Sequence, residues 1–554
     1  MSIASRTRSI LLFAALCLGL LLTLSDADFG WVTDGQIMLD TAVALREFGD
    51  IRTNYGFDTE GFTAVAGRSG KYGLGYSLVE QIPLALVEPV ETAFGAGSSN
   101  VLFPMMNLIL TALTGLAVAA SLRDLGAGRG TGALAAAAYA FGTFAWPYVS
   151  YDFSEPLQAF CVAWAFRLAV ACVRSDADPR WRAAAAAAAL GLAILTKASL
   201  LVLVPGFAIY LAAAARRRHG MPMLAGFGVT LALALAGVVV LNQLRYGSWR
   251  DFGYGVEGSR FTTPLLTGLY GLLLGPNKGL VFYAPVAILV PWGLWRGLRS
   301  ARRPEALLLL GSIAALLLTV ATWWSWEGGF SWGPRLLFPI LPLVAIAAAL
   351  ILDAAPIARL ARILFVSCLI AGVLVNILGV LLNYTVWFGI AGLSTKRVPL
   401  SIEGRPSWEY VESEGTRYYL PQVAVSYAPA LSPIVGHAWL LRVRYLGEPF
   451  PLSALPRGPG APLIDYPPLK LDLTPLTEGY VLARLRSAHF WLWDRLRRVQ
   501  REPIFAQPIY AGSLTRLGDA AVAVGDGDKG LEYHRRAQRL MALSAKAGAG
   551  GGSP

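Results

Sequence analysis

The chain has 554 residues, 55% of them hydrophobic and 15% charged, with 47 Lys and Arg against 35 Asp and Glu for a formal net charge of +12. So many apolar and so few charged residues cannot be arranged as one soluble core under a solvated surface, which makes this a polytopic membrane protein. The basic excess excludes little by itself, but the arginines cluster in short segments between apolar runs, as positive-inside loops do, so nucleic acid is not expected as a partner.

Measured against the roughly 20 residues that cross a bilayer, apolar runs predict spans near 9–25, 100–121, 131–147, 156–173, 182–196, 199–215, 222–242, 279–297, 305–323, 336–352 and 363–388. The pair 182–196 and 199–215 reads either as two short helices or as one long helix kinked at Thr196-Lys197. Two helices put Arg6, Arg8, Arg123, Arg129, Arg174 to Arg182, Arg216 to Arg218, Arg296 to Arg303 and Arg359 to Arg362 on one side, and that count is adopted. The N-terminus is then cytoplasmic and the C-terminus external. The first run is read as an uncleaved helix, since no small-x-small cleavage site follows it.

Outside the cytoplasm this topology leaves the loop 26–98, the loop 148–156, the loop 243–278, the turn 324–335 and everything after about 389. The first loop keeps several carboxylates against the bilayer between Asp26 and Asp50, which marks it as a candidate site, because ionised groups near hydrocarbon are costly unless used. Ser77 to Val90 and Thr263 to Leu274 are short amphipathic stretches suited to the interface. From 390 to 544 the chain is richer in Pro, Arg, Glu and Tyr, has no run long enough to span, and reads as an extracytoplasmic domain. Within it, 510–541 shows the two-helix pattern of a single tetratricopeptide-type hairpin, and 545–554 is small-residue low complexity, read as disordered.

Cys17, Cys161, Cys172 and Cys368 lie in apolar segments without CxxC spacing, and His219, His437, His489 and His534 are scattered, so neither a disulfide framework nor a His-based metal site is signalled. The glycine-rich 67–75 lacks P-loop spacing, which argues against a nucleotide.

Several motifs then coincide in order. Asp34-Gly35-Gln36 through Phe48-Gly49-Asp50, then Lys71-Tyr72-Gly73-Leu74-Gly75-Tyr76, resembles the first external loop of the GT-C superfamily. Its members are membrane glycosyltransferases that use polyprenyl-phosphate sugars, such as the protein O-mannosyltransferases and lipid A aminoarabinose transferases. Phe153-Ser154-Glu155-Pro156-Leu157, Leu195-Thr196-Lys197, Gly275-Pro276-Asn277-Lys278-Gly279-Leu280 and Trp332-Gly333-Pro334-Arg335 extend the resemblance over roughly residues 10–390. The family usually carries Asp-Glu where this chain has Asp34-Gly35, so a second carboxylate is missing there.

The resemblance implies an all-α polytopic bundle of about eleven transmembrane helices, with 1–389 as the glycosyltransferase domain. It also implies a reaction moving a sugar from a polyprenyl-phosphate donor to an extracytoplasmic protein, lipid or polysaccharide, in a bacterial inner membrane. Such transfer needs a base for the acceptor proton and cations for the departing phosphate. Asp34 is the expected base; the alternative is a helix cap. Glu155 would orient acceptor or base, or simply favour the dipole of the helix it opens, and Asp152 is interchangeable with it in either role. Lys71 and then Arg335 are expected at the phosphate, while Lys278 and Lys197 are phosphate ligands or snorkelling lysines. Glu327, Trp326 and Trp332, in the cluster of Trp323, Trp324 and Phe330, read as a sugar-stacking wall or as an aromatic belt. No cofactor is indicated; a divalent cation is conceivable, but with one acid lost after Asp34 a metal-independent reaction is expected. A lipid-linked sugar transporter is the alternative, though no internal repeat supports it; a membrane scaffold using the tail hairpin is another.

Overall fold

The computed structural model describes residues 3–24, 33–51, 53, 55–57, 64–66, 70–94, 97–174, 178–216, 220–254, 258–329, 331–352, 358–384, 387, 410–413, 416–419, 432–445, 465–466, 469–470 and 508–550. Asp26 at the start of the first loop, Phe330 of the aromatic cluster and most of 390–507 lie outside the described residues.

Each expected span coincides with helix. Among the described residues, six helices are long and apolar enough to cross a membrane: Ser98–Asp124, Glu155–Arg174, Ala198–Ala215, Gly220–Tyr246, Arg303–Thr322 and Ala358–Leu381. The chain is an integral membrane protein on that ground. The other five runs fold as helices that are shorter, broken or less apolar. The run at 279–297, for example, is interrupted by Pro285 and Pro291, which cannot donate to a helical ladder.

The chain divides into two units, Met1–Ala136 with Tyr148–Ser259 and Phe490–Pro554, and Ala137–Pro147 with Arg260–His489. In the first unit α1 (Ile3–Leu21) packs on α5 (Leu102–Asp124), α5 on α8 (Glu155–Arg174), α8 on α9 (Pro179–Thr196) and α9 on α11 (Gly220–Tyr246). Lys197 takes an extended conformation that stops α9 before α10 (Val204–Ala215), which resolves the ambiguous pair into two helices. The first loop contributes α2 (Thr33–Phe48), a two-stranded ribbon of β1 (Tyr55–Phe57) and β2 (Ala64–Ala66), α3 (Leu74–Val79) and α4 (Gln81–Phe94).

In the second unit, α12 (Leu265–Leu273) packs on α15 (Arg303–Thr322). α14 (Val290–Leu298) packs on both α15 and α16 (Leu341–Ala349), and α17 (Ala358–Leu381) packs on α18 (Pro433–Tyr445).

The two-helix pattern at 510–541 is a helical hairpin, α19 (Ile509–Ala523) and α20 (Gly527–Gly550), turned at Gly525 with φ of 87°. It lies in the first unit, packed on α2 and α4. Tyr510, Leu514, Leu517, Tyr533 and Leu540 share one apolar cluster with Leu39, Val43, Leu84, Val87 and Phe103. Helix α20 continues to Gly550, through the small-residue segment read from composition as disordered; its alanines have the highest intrinsic helix propensity.

Candidate functional site

The site is built around the first turn of α2. Asp34 lies inside that turn, half-buried, and accepts a hydrogen bond from the Tyr72 hydroxyl through Oδ1. Tyr72 belongs to the 70–73 segment just before α3, and three features fix that segment. At the last turn of α11, Arg245 donates from Nη1 to the Tyr72 carbonyl and from Nη2 to the Gly70 carbonyl, each at 2.7 Å, and the Tyr246 hydroxyl reaches the same Gly70 oxygen at 2.9 Å. Gly73 lies so close to the end of α9 that a β-carbon there would stand 2.1 Å from the Leu195 carbonyl oxygen, so only glycine fits. Helix α3 is held in turn by Ser77, whose hydroxyl donates to the Met38 carbonyl of α2 at 2.7 Å.

This clamps two sequence motifs together. The Lys71 ammonium lies 5.8 Å from the ring centroids of both Tyr72 and Tyr254, within cation–π range. Lys197, at the break after α9, donates to the Tyr254 hydroxyl at 2.8 Å and lies 5.2 Å from the same ring's centroid. A carboxylate, two tyrosines and two lysines thus form one connected group: Asp34, Tyr72, Lys71, Tyr254 and Lys197.

Asp152 joins it from the segment before α8. Its buried carboxyl is packed on Gly35, the residue after Asp34. That segment is held by Asn107 of α5, whose amide donates to the Tyr151 carbonyl at 2.9 Å and accepts from the Tyr76 hydroxyl at 3.2 Å. Glu155 is the buried first residue of α8, three positions on. Glu80 is fully buried, and among the described residues neither of its carboxyl oxygens has a hydrogen-bond partner. Burial first, then the charges of Asp152 and Asp40, pushes its carboxyl well above the usual range.

The remaining expected residues lie in the second unit. Lys278 is fully buried and its ammonium donates to the Gly329 carbonyl at 2.9 Å, the Ser331 carbonyl at 2.7 Å and the Ser331 hydroxyl at 2.8 Å. Burial, then Arg335, pulls it well below its ordinary value, with Glu327 opposing. This geometry makes Lys278 an anchor for Gly329 and Ser331. Arg335 is half-buried just after the turn, with Gly328 against its side chain, and buried Glu327 accepts from the Ser325 hydroxyl at 3.2 Å. Trp332 is wholly buried: its indole N–H donates to Asn376 Oδ1 at 3.1 Å and Tyr283 and His437 meet it edge-on at 5.2 and 4.8 Å between centroids. Trp326 is buried with its ring edge on Gly271. Both indoles are packed into the protein.

Sequence reasoning singled out neither Tyr254 nor the Arg245–Tyr246 pair. Tyr254 lies in the 243–278 loop without a motif, and Arg245 looks like any basic residue at a helix end.

The described fold is that of a predominantly helical, multi-span membrane protein with an acid–lysine cluster around the loop after its first helix. No family model matches the chain, and no curated protein matches it. Among solved structures it is similar to ArnT from Cupriavidus metallidurans bound to undecaprenyl phosphate, at 15% identity and a TM-score of 0.46, covering 93% of this chain and 94% of that one. It is also similar to the oligosaccharyltransferase of Archaeoglobus fulgidus in the apo form, at 9% identity and a TM-score of 0.43, over 72% of this chain and 59% of that one. AglB from the same organism, in complex with an inhibitory peptide and a dolichol-phosphate, is matched at 12% identity and a TM-score of 0.41, over 88% and 64% of the two chains. Likeness at these levels assigns no residue a role.

Proposed function

We propose that the chain is an integral membrane glycosyltransferase that moves a sugar from a polyprenyl-phosphate donor to an extracytoplasmic acceptor hydroxyl. The observation that carries this reading is the group around Asp34: a carboxylate held by a tyrosine hydroxyl, with two lysine ammonium groups gathered on the adjoining tyrosine.

In the proposed step Asp34 accepts the proton of the acceptor hydroxyl as its oxygen attacks the anomeric carbon. The bond from that carbon to the phosphate oxygen breaks, its electron pair leaves with the phosphate, and the configuration inverts. Lys71, with Lys197 behind it, supplies the positive charge that the departing phosphate needs, as compact donors. Tyr72 aims the Asp34 carboxylate and lowers the entropy cost of holding it in place. Glu155 and Asp152, at the entrance of α8, are proposed to position the acceptor or the base. The N-terminus is assigned to the cytoplasm of a bacterial cell, which puts this chemistry on the outer side of the inner membrane.

The test is the glycan and lipid profile of cells carrying the wild-type chain against cells carrying Asp34→Asn at equal membrane abundance. Loss of one glycosylated product supports the reading and names the acceptor. Matching profiles would sink it and favour a transporter or a scaffold.

A further inference from the structure

At the far end of the first unit from Asp34, α1 and α6 (Arg129–Gly142) begin and α5 finishes. Arg8, Arg123 and Arg129 line a cavity of about 280 Å³ there, together with Leu12, Leu116 and Ala133. Sixteen residues of α5 separate Asn107, which holds the Asp152 segment, from Arg123, a rise of about 24 Å and most of the thickness of a bilayer's hydrocarbon. Arg123 is half-buried and its guanidinium donates to the Ser9 hydroxyl at 3.4 Å, while Arg8 and Arg129 are exposed. Asp124, the adjoining acid, pairs with Arg167 at 3.7 Å and also interacts electrostatically with Arg123, but it does not line the cavity.

Three guanidinium groups along the lining of one small cavity give it a positive potential that favours an anion there. The cavity is just below the size of ordinary ligand pockets, about 300–1,000 Å³, so it suits one headgroup and no large solute. Leu12 and Leu116 give its inner wall the apolar character that an acyl chain needs beside a charged head. Gly132 also lines the cavity, its missing side chain letting α6 approach α5 to the point where a β-carbon would be 3.0 Å from the Ala119 carbonyl oxygen.

We propose that this cavity binds the phosphodiester headgroup of an anionic membrane phospholipid, drawn from the leaflet facing away from the Asp34 site. Basic pockets between membrane helices hold such headgroups by charge and by chain contact together. The site is independent of the transferase reading and stands or falls separately from it.

The experiment is native mass spectrometry of the full chain released from detergent, with phosphatidylglycerol, phosphatidylcholine or inorganic phosphate added singly and in competition. The wild type should retain phosphatidylglycerol and not the net-neutral phosphatidylcholine. Arg8→Gln with Arg129→Gln, both exposed positions, should weaken retention about thirtyfold. Ala133→Trp keeps every charge and fills the cavity, and it should lose the lipid as well. Equal retention of the two lipids, or undiminished phosphatidylglycerol in both variants, would overturn the proposal. Displacement of the lipid by equimolar inorganic phosphate would also overturn it, by showing a site for free phosphate.

Discussion

The carboxyl group of Asp152 occupies the space in which a side chain on Gly35 would begin: a β-carbon there would stand 2.2 Å from Asp152 Cγ and 2.3 Å from its Oδ2. A carboxylate therefore does lie against the residue after Asp34, but it arrives from the segment before α8 rather than from the next position in the chain. Gly35→Ala should destabilise the protein by about 1–3 kcal/mol through overpacking, and adding Asp152→Gly should restore much of it. Thermal melts in detergent of the two single variants and the double variant measure this coupling. Strict additivity of the two changes would contradict the packing.

Tyr72→Phe removes the hydroxyl that holds Asp34 and leaves the ring for Lys71. A hydrogen bond to a charged group contributes about 1.5–3 kcal/mol, so product formation should fall about ten- to a hundredfold with the fold intact. Comparing the rate with that of Asp34→Asn separates aiming from proton acceptance: the phenylalanine variant should remain measurably active where the asparagine variant does not.

Lys71→Gln should weaken retention of a polyprenyl phosphate, while Lys278→Gln should lower thermal stability, because the second lysine is spent on Gly329 and Ser331. Binding of undecaprenyl phosphate and melting temperature, measured on both variants, give the comparison. Leaving the buried acceptors of Lys278 unsatisfied should cost about 1–3 kcal/mol.

Glu80 makes stability depend on pH in a stated direction. Its folded-state value is raised above the ordinary 4.5 by burial, Asp152 and Asp40, whereas the unfolded chain ionises normally. Above about pH 4.5 the unfolded state gives up the proton that the folded state keeps, so this residue progressively costs stability as pH rises and costs nothing below that point. Glu80→Gln should therefore raise the melting temperature at pH 7.5 and leave it unchanged near pH 4. An equal gain at both values would contradict the assignment.

Asp40 is fully buried and takes both nitrogens of the Arg516 fork, Nε at 2.9 Å and Nη2 at 2.8 Å. Lys529 pairs with Asp50 at 2.8 Å, and Tyr510 and Arg536 both reach Glu47. Arg516→Ala should cost about 3–5 kcal/mol by leaving a buried charge uncompensated. Asp40→Leu with Arg516→Met should recover most of it, as read by thermal melts of all three proteins.

Much of the helical architecture was legible in the sequence because apolar runs of bilayer length are set by local composition; even the break at Thr196-Lys197 showed as two short runs. The motif residues Asp34, Lys71 and Lys197 were also legible, and the fold gathers them around Tyr72 and Tyr254. What could not be read was contact across distance. Arg245 meets Gly70 from 175 positions away, and nothing in the neighbourhood of either residue announces it. Trp326 and Trp332 read as a wall or a belt and are instead packed into the protein, since aromatic clustering alone does not say which face is covered. Lys278 looked like an edge lysine because its acceptors, a turn some fifty positions later, leave no local sign.

The clamp on α2 also sets an order of events during synthesis. Asp40 and Arg516 are 476 positions apart, so at about 5–20 residues per second the helix bearing Asp34 waits roughly 24–95 s for its counter-ion. Through that interval α2 lacks the guanidinium fork that accompanies the burial of Asp40. A chain interrupted before α19 thus lacks every residue that the hairpin brings to Asp40, Glu47 and Asp50.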